Sequence, residues 1–242
     1  YSRVEDAAEI VGRGYRQVTY RKEMAQALSD AAQETVKTAR VHLKIETGTN
    51  RQGIPLDELT PFCQFISGLP AIEVEGVYTH FANIENTLDP SFAKLQLERF
   101  GKANVQIEEA GIRPAHIHAD ATSGILLYPE THFSMVRLGI GAYGIWPSRE
   151  TRIAARERGR GIDLEPVLAW KTRIVQLKNI DAGEYVGYGL SFRANRATKL
   201  AIIPVGYYEG YDRTLSNTGK ALVGGMPVPV VGRVAMNMTV LD

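Results

Sequence analysis

The sequence predicts an α/β domain followed by a smaller β-rich domain. In the first 140 residues, short β-like runs alternate with longer runs whose apolar residues recur at helical spacing. This alternation is typical of a parallel sheet with helical crossovers. After a charged, glycine-bounded stretch at residues 149–161 the helical spacing disappears, and β-rich runs broken by Gly, Pro and Asn turns follow. We therefore expect domains at residues 1–160 and 161–242.

Strand and helix pairs can be placed in order along the first domain. The predicted strands cover residues 17–20, 40–46, 72–81, 114–120 and 133–140. The predicted helices cover residues 23–38, a segment that begins near Pro55 where a first turn tolerates proline, and residues 91–111. In the last of these helices the expected apolar positions are Phe92, Leu95, Leu97, Phe100, Val105 and Ile107. In the second domain the predicted β runs are 167–180, 199–205, 220–223 and 228–240.

The length of the first domain leaves two architectures open. An eight-unit β/α barrel takes roughly 250 residues, or about 31 per unit, so this domain holds only about five units. Either the sheet is open and doubly wound, or the domain is part of a barrel.

One stretch, Val41–Gly53, is the first candidate for a functional site. Its apolar and polar residues alternate as in a strand, and the strand then breaks into a polar, glycine-containing loop. In a parallel barrel the polar residues at the carboxyl end of such a strand face the catalytic mouth, so Lys44 and Arg51 become candidates. Taken alone, the stretch fits an edge strand with solvated charges better than a functional site.

Composition excludes several classes of protein. There are 28 Lys and Arg against 27 Asp and Glu, and a net charge of +1 gives no electrostatic reason to bind nucleic acid or an anionic membrane. No apolar run approaches the roughly 18 residues of a spanning helix, and no signal-peptide pattern or metal-ligand cluster is found. The single cysteine, Cys63, lies in an apolar helical face and is expected to be a buried, inert thiol. These features are typical of a cytoplasmic protein.

Six ordered segments together resemble the alanine racemase family. They are HLKIETGTNRQG at 42–53, YTHFAN at 78–83, MVRLGIGAYGIWPS at 135–148, VGYGLSF at 186–192, IPVGYYEGYDR at 203–213 and VGRVAMNM at 231–238. The resemblance implies a TIM-type barrel followed by a β domain, bound pyridoxal 5′-phosphate and a head-to-tail homodimer. It implies interconversion of L- and D-alanine by two bases, which supplies peptidoglycan precursors.

The resemblance assigns one of the two bases to Tyr188. Racemisation removes the α-proton from one face of the amino acid and returns a proton to the other, so two bases flank Cα. In the family one base is the lysine that carries the cofactor, and the other is this tyrosine, reaching the partner's barrel. Since an ordinary tyrosine has a pKa near 10, the base needs nearby charge or donors, which we expect from His80 and Arg137. By its own residues, Tyr188 equally fits a turn between glycines.

The cofactor contacts follow from the same resemblance. Arg137 matches the arginine that faces the pyridine nitrogen, and because a guanidinium only donates, that nitrogen stays an unprotonated acceptor. Backbone amides of Gly139 and Ile140 are expected at the phosphate, and Thr122 keeps a hydroxyl where the family has serine. Without the resemblance, Arg137 would be interpreted as a structural ion-pair partner.

The resemblance also implies the substrate contacts. Arg51 matches the arginine that contacts the phenolic oxygen of the cofactor and the substrate carboxylate. Lys44 lies where many members carry a carbamylated lysine, although an ordinary paired lysine fits equally well. Met236 and Tyr207 match residues near the substrate entrance; core methionine and core tyrosine are the alternatives.

The sequence also departs from the family pattern. Asn237, Thr49, Asn50 and the pair Ala121–Thr122 replace the usual residues at their positions, which leaves the preferred amino acid open. The Lys-Ala-Asn-Ala-Tyr-Gly type motif that holds the cofactor-bearing lysine is not found in these 242 residues. We expect an internal fragment of a racemase that is inactive as an isolated chain.

Three functions are therefore compared. The first is an alanine racemase, the second a serine or broad-specificity racemase, and the third a non-catalytic homologue that binds pyridoxal phosphate or dimerises. A decarboxylase of similar fold is disfavoured, because its pyridine nitrogen normally faces a carboxylate while the matching position here is Arg137.

Overall fold

The computed structural model describes residues 1–242, which divide into two compact units, Tyr1–Leu168 and Ala169–Asp242. The first unit alternates strands with helices. Its helices and strands are α1 (Ala7–Gly12), β1 (Gln17–Thr19), α2 (Lys22–Glu34), β2 (Ala39–Lys44), α3 (Leu56–Ser67), β3 (Ile72–Tyr78), α4 (Ser91–Glu109), β4 (His116–His118), α5 (Thr122–Leu127) and α6 (Arg149–Glu157).

The sheet of the first unit is parallel, and its strand order is β1-β2-β3-β4. A doubly wound sheet reverses its strand order at a switch point, whereas a β/α barrel adds each strand beside the previous one. The observed order therefore excludes the open doubly wound alternative and is that of consecutive barrel units. Strand β2 is buried on both faces, as expected for a parallel strand covered by helices, and its interior supplies Val41 and Leu43 to the main core.

Helix α4 forms as predicted and buries only part of its apolar residues. Its buried residues are Gln96, Phe100, Ala103 and Ile107, which recur at helical spacing and form one stripe. Of the apolar residues named from the sequence, Phe100 and Ile107 are buried, whereas Phe92, Leu95 and Val105 are exposed. The predicted positions span two faces of the helix, and the face that packs inward includes a glutamine.

The strand predicted at residues 133–140 was wrong. Only two backbone bonds join this segment to the chain at and just after β4, Ser134 N to Ile117 O at 3.1 Å and Arg137 N to Asp120 O at 3.3 Å. These bonds are three residues apart on both chains, out of phase with the two-residue repeat of a ladder. The segment therefore forms no strand, and a 3₁₀ turn follows at Ile140–Tyr143.

The second unit contains only antiparallel sheets and 3₁₀ turns. Its strands are β5 (Gln176–Ile180), β6 (Tyr185–Val186), β7 (Phe192–Arg193), β8 (Thr198–Ile203), β9 (Lys220–Val223), β10 (Met226–Pro229) and β11 (Thr239–Leu241). They pair as a three-stranded sheet β11-β8-β5 and as the two-stranded pairs β9 with β10 and β6 with β7.

Two predicted β runs of this unit are longer than the strands that form. In the run 167–180 only Gln176–Ile180 is a strand, and in 228–240 a loop separates β10 from β11. Gly232 breaks the second run because its φ is +78° and its Cα approaches the backbone of Val186, a conformation closed to a side chain. None of the helices of either unit has both the length and the apolar content needed to cross a membrane.

Candidate active site

The strand register aligns polar side chains on one face of the parallel sheet. His42 pairs with Gly76 and Gly76 with His116; two residues further on, Lys44 pairs with Tyr78 and Tyr78 with His118. Residues two apart on a strand share a face, so these two rows form adjacent polar layers leading to the carboxyl ends of the strands. Gly76 is required in the first row, since a Cβ there would lie 2.5 Å from His42 Nδ1.

Arg137 occupies the centre of this polar region. Its Nη2 donates to the carbonyls of Thr79 and Ala119, both at 2.9 Å, and its Nη1 donates to Nδ1 of His118. The guanidinium carbon lies 4.9 Å from the ring centre of Tyr78, within cation–π distance. These contacts hold the arginine in one orientation, while its Nε–H has no hydrogen-bond partner.

The bond from Arg137 fixes the proton of His118. Since a guanidinium has no lone pair to offer, His118 Nδ1 is the acceptor and its proton lies on Nε2. That proton is donated to His42 Nδ1 at 2.9 Å, and His42 Nε2 lies 3.6 Å from a carboxylate oxygen of Glu75. Burial, with the charge of Arg137 and the neighbouring His42 and His116, lowers the pKa of His118 to about 3. The His118 ring is therefore neutral, with one defined tautomer.

His80 is the second histidine held by Arg137. Arg137 Nη2 also lies 3.0 Å from His80 Nδ1, so its two hydrogens are shared among three acceptors. Because a guanidinium cannot accept, Nδ1 is the acceptor and the neutral ring carries its proton on Nε2. Burial lowers the pKa of His80, and the positive charges of Arg137, Arg51 and Lys44 lower it further. His80 is therefore available as a neutral hydrogen-bond donor at the end of β3.

Lys44 is buried beside the loop that carries Arg51. Its Nζ lies 3.4 Å from the Gln52 side-chain oxygen and 5.8 Å from the Tyr78 ring centre, and it makes no ion pair. Burial lowers the pKa of Lys44, and Arg51 and Arg137 lower it further. An amine in this environment is deprotonated more easily than an exposed lysine.

The loop that presents Arg51 folds around the carboxylate of Glu46. Glu46 oxygens accept the backbone N–H groups of Gly48 at 2.6 Å and Arg51 at 3.3 Å. Burial alone would raise the pKa of Glu46, but backbone hydrogen bonds from Asn50, Gly48 and their neighbours outweigh it and lower the pKa. A carboxylate that gathers several amides fixes the loop, and Arg51 leaves it with an exposed side chain.

Thr122 organises the backbone after Arg137. Its buried hydroxyl oxygen accepts the N–H of Gly139 at 3.2 Å and of Gly141 at 3.1 Å, and its own hydrogen has no acceptor in the structure. The N–H of Ile140 is unpaired. Gly141 is needed for this approach, because a Cβ there would lie 2.6 Å from the Thr122 methyl. The Gly139 amide predicted at a phosphate is thus already bonded to Thr122, whereas that of Ile140 is free.

The remaining predicted residues lie in the second unit and line one cavity. A volume of about 280 Å³ is bounded by Tyr188, Tyr207, Arg213, Arg233, Val234, Ala235, Met236 and Asn237. Tyr188, Tyr207 and Met236 are exposed, so the core alternatives for Tyr207 and Met236 are wrong. Tyr188 projects from a turn between Gly187 (φ +75°) and Gly189 (φ +72°), and a Cβ on Gly189 would lie 2.9 Å from the Arg233 guanidinium.

Sequence reasoning missed three members of the polar region, Tyr78, His118 and His42. A signal was present, because polar residues at alternate positions of a buried parallel strand face one side, and both His42–Lys44 and His116–His118 show that spacing. The hydrogen-bonded contacts among the strands could not be seen, since they depend on the register between neighbours.

The mouth of the parallel sheet thus combines cationic groups with neutral histidines of defined tautomer. Lys44, Arg51 and Arg137 supply positive charge, and His80 and the Thr122 hydroxyl supply hydrogen-bond donors. Such a site suits an anionic ligand that also offers a ring or hydroxyl acceptor.

Comparison with known proteins identifies the family. The sequence matches the descriptions "Alanine racemase, N-terminal domain" over residues 1–147 and "Alanine racemase, C-terminal domain" over residues 167–242. The alanine racemase of Syntrophobacter fumaroxidans is 42% identical over 237 residues, which are 98% of this chain and 61% of that protein.

Solved structures share the fold. Alanine racemase from the D-cycloserine producing Streptomyces lavendulae is 29% identical with a TM-score of 0.87, over 98% of this chain and 61% of that one. That of Bartonella henselae, with covalently bound pyridoxal phosphate, is 24% identical with a TM-score of 0.81, over 98% and 62%. This chain therefore spans about three fifths of the length of these relatives. It combines partial TIM-type barrel and β-domain sequences in the order of those proteins, and it belongs to the alanine racemase family.

Proposed function

We propose that the protein to which this chain belongs is a pyridoxal phosphate-dependent alanine racemase that interconverts L- and D-alanine. The observation that carries the proposal is the arrangement of Arg137. It is held by four acceptors, including His80 and His118, yet its Nε–H is unpaired. A guanidinium immobilised in this way, with its Nε–H free, is suited to a heteroaromatic nitrogen that must accept rather than donate.

The chain's own residues fit the cofactor. The hydrogen of the buried Thr122 hydroxyl and the N–H of Ile140 are both unpaired, and they lie beside the segment that begins at Arg137. Two unpaired donors next to close-approaching glycine backbone are suited to an anionic phosphate group. Thr122 and Ile140 would hold the phosphate, with the Gly139 amide holding the Thr122 oxygen in place, while Arg137 would hold the ring nitrogen and Arg51 the phenolic oxygen. When bound, the cofactor delocalises the negative charge that develops at Cα as the proton leaves.

Tyr188 is proposed as one of the two bases. Its phenol is exposed and is held clear of the β domain by flanking glycines. A tyrosine acts as a base at neutral pH only when its anion is stabilised by donors or by positive charge. His80, which carries its proton on Nε2 and is backed by the Arg137 cation, is suited to donate to that oxygen. We propose that the two come together in a homodimer, with Tyr188 of one subunit facing the barrel of the other.

Arg51 is proposed to orient the substrate carboxylate, with Lys44 as its support. An ammonium at Lys44 would repel Arg51, whereas a carbamate there would offer it two acceptor oxygens. The lowered pKa of Lys44 raises the fraction of free amine that can react with carbon dioxide. We expect ¹³C-bicarbonate to give a carbamate carbon signal that is lost in Lys44→Arg and on acidification. If Lys44→Arg retains the signal, the carbamate is not at this residue.

A broader racemase is the second candidate. Asn237 lines the cavity of the second unit together with Tyr207 and Met236, and it places a neutral amide beside the proposed substrate entrance. A neutral hydrogen-bonding side chain there accommodates a hydroxylated substrate such as serine without charge repulsion. The third candidate, a non-catalytic homologue, has no observation in its favour beyond the family fold.

Exchange of the α-proton in D₂O decides among these functions. The protein, supplied with pyridoxal phosphate, is incubated with L-alanine, L-serine and other L-amino acids, and deuterium at Cα and the D-enantiomer are both measured. Fastest conversion of alanine supports the first proposal, and comparable rates for serine support the second. Binding of the cofactor without exchange on any amino acid supports the non-catalytic alternative. We also propose a cytoplasmic location, consistent with a single buried cysteine and no disulfide.

A further inference from the structure

Behind the proposed site, the side chain of Gln96 connects the two loops that carry Arg51 and His80. Gln96 lies on α4 and is fully buried. Its oxygen accepts the N–H of Ala82 at 2.8 Å, and its amide nitrogen donates to Thr47 Oγ1 at 3.0 Å and to the carbonyl of His80 at 3.1 Å. One side chain thus binds the loop after β2 and the loop after β3 at the same time.

The hydrogen bonds beyond Gln96 form a chain with one direction. Thr79 Oγ1 donates to the Ile45 carbonyl at 3.0 Å, which uses its only hydrogen. The 2.7 Å bond between the hydroxyls of Thr47 and Thr79 therefore runs from Thr47 to Thr79. Thr47, having given its hydrogen, can only accept from Gln96. The chain of hydrogen bonds therefore runs from Gln96 through Thr47 and Thr79 to the Ile45 carbonyl. The amide N–H of Gln96 is the group that donates to Thr47.

Further contacts hold the loop after β2 against the face of α4 that carries Gln96. Arg99, one turn after Gln96, donates to the Thr47 carbonyl at 2.9 Å, and Thr49 Oγ1 donates to the His80 carbonyl at 2.7 Å. Gly48 packs on Phe92, one turn before Gln96, so closely that a Cβ would lie 2.8 Å from the ring. The loop is thus seated on α4 between two turns of the helix.

We propose that Gln96 is a positioning residue that sets the separation of the Arg51 loop from His80. It touches neither substrate nor cofactor, and it acts by fixing the two backbone segments from which these side chains emerge. If the buried amide is removed, the groups that it donates to and accepts from are left unpaired. We expect the two loops to move so that these groups find other partners. The inference rests on the proposed racemase function only in that Arg51 and His80 then act on one substrate.

The test compares two matched pairs of variants by hydrogen exchange and by kinetics. Gln96→Met removes the amide at similar volume, and its control is Gln106→Met on the same helix, where the side chain accepts one bond from Thr60 at 3.5 Å. Thr47→Val breaks the chain at its middle, and Thr47→Ser keeps the hydroxyl. The protein is studied both free and with pyridoxal phosphate, so the exchange readout does not depend on activity.

We expect Gln96→Met and Thr47→Val to raise amide exchange about tenfold or more in residues 46–53 and 79–83, with the rest of the barrel unchanged. The kcat/KM for alanine should fall by about 100-fold, since a misplacement near 1 Å has that effect. Thr47→Ser and Gln106→Met should behave as the unmodified protein.

The outcomes separate the two proposals. Unchanged exchange in both loops would mean that Gln96 orders neither of them, and an equal rise throughout the barrel would mean that it stabilises the fold as a whole; either result overturns the positioning role. Local exchange changes in a protein that racemises nothing would support the positioning role and overturn the proposed function. If Gln96→Met does not fold, the Thr47 pair decides the question alone.

Discussion

Arg137 Nη2 and His80 Nδ1 lie 3.0 Å apart, and this one bond fixes where the proton of the histidine resides. The guanidinium can only donate, so the neutral ring carries its proton on Nε2. His118 is held in the same way by the other terminal nitrogen of Arg137. One arginine therefore sets the tautomers of two histidines.

Replacing His80 tests the use of that proton. His80→Leu removes the donor, and we expect kcat for racemisation to fall by about 100-fold, as for the loss of one donor to an oxyanion. His80→Gln, which keeps an N–H, should retain more activity. The acid limb of the pH–rate profile, which reports deprotonation of the base, should move to higher pH in both variants and further for leucine, because a tyrosine base without its donor has a higher pKa. Equal profiles for the two variants would contradict a donor role.

The low pKa of His118 predicts a loss of stability in acid. Its folded-state pKa is about 3 against an ordinary 6.5, so between these values the unfolded chain binds more protons. Stability is then complete above pH 6.5 and falls as the pH drops, by about 1.4 kcal/mol per pH unit for this group. Urea unfolding at pH 7, 6 and 5 measures the slope, and His118→Gln should remove about that much of it. Burial also lowers the pKa values of His42 and His80, so a smaller slope should persist in the variant. Identical slopes with and without His118 would overturn the assignment.

Local sequence pattern was sufficient to predict β2, β3 and the helices beside them. Their apolar alternation, and a proline before α3, are visible in the chain and independent of distant partners. Local pattern alone left the barrel and the doubly wound sheet open, since the order of strands in the sheet decides between them; the family resemblance predicted the barrel, and that prediction is confirmed. The segment at 133–140 has strand-like residues, but a ladder requires bonds in phase with a neighbour, and only two form.

The residues of the candidate site also divide into those that the sequence revealed and those that it did not. Lys44, Arg51, His80 and Arg137 were found because they stand in the quoted motifs. The role of Gln96 was missed because a single glutamine in a helix is normally expected to face solvent. Its burial follows from partners some 14 to 49 residues away in the chain.

Cys63 should be unreactive in the folded protein. The thiol is fully buried in α3, and burial raises its pKa to about 11, so little thiolate exists at pH 8. Iodoacetamide at pH 8 should leave the intact mass unchanged and add one carboxamidomethyl group in urea. Labelling of the native protein at the denatured rate would show that α3 is not packed as described.

The loop of Arg51 depends on a glycine at its end. Gly53 has a φ of +142° and lies so close to β2 that a Cβ would be 2.6 Å from the Glu46 nitrogen. Gly53→Ala combines a backbone conformation almost closed to other residues with a contact to backbone that cannot move aside. We expect it to lower the free energy of unfolding by about 3 kcal/mol, the sum of strain and overpacking. Gly14→Ala is the matched control, because Gly14 has a φ of +69° but open space around its Cα, and only about 1 kcal/mol is expected. Equal losses for the two variants would mean that the close approach at Gly53 contributes nothing, and that the Arg51 loop can be displaced from β2 without cost.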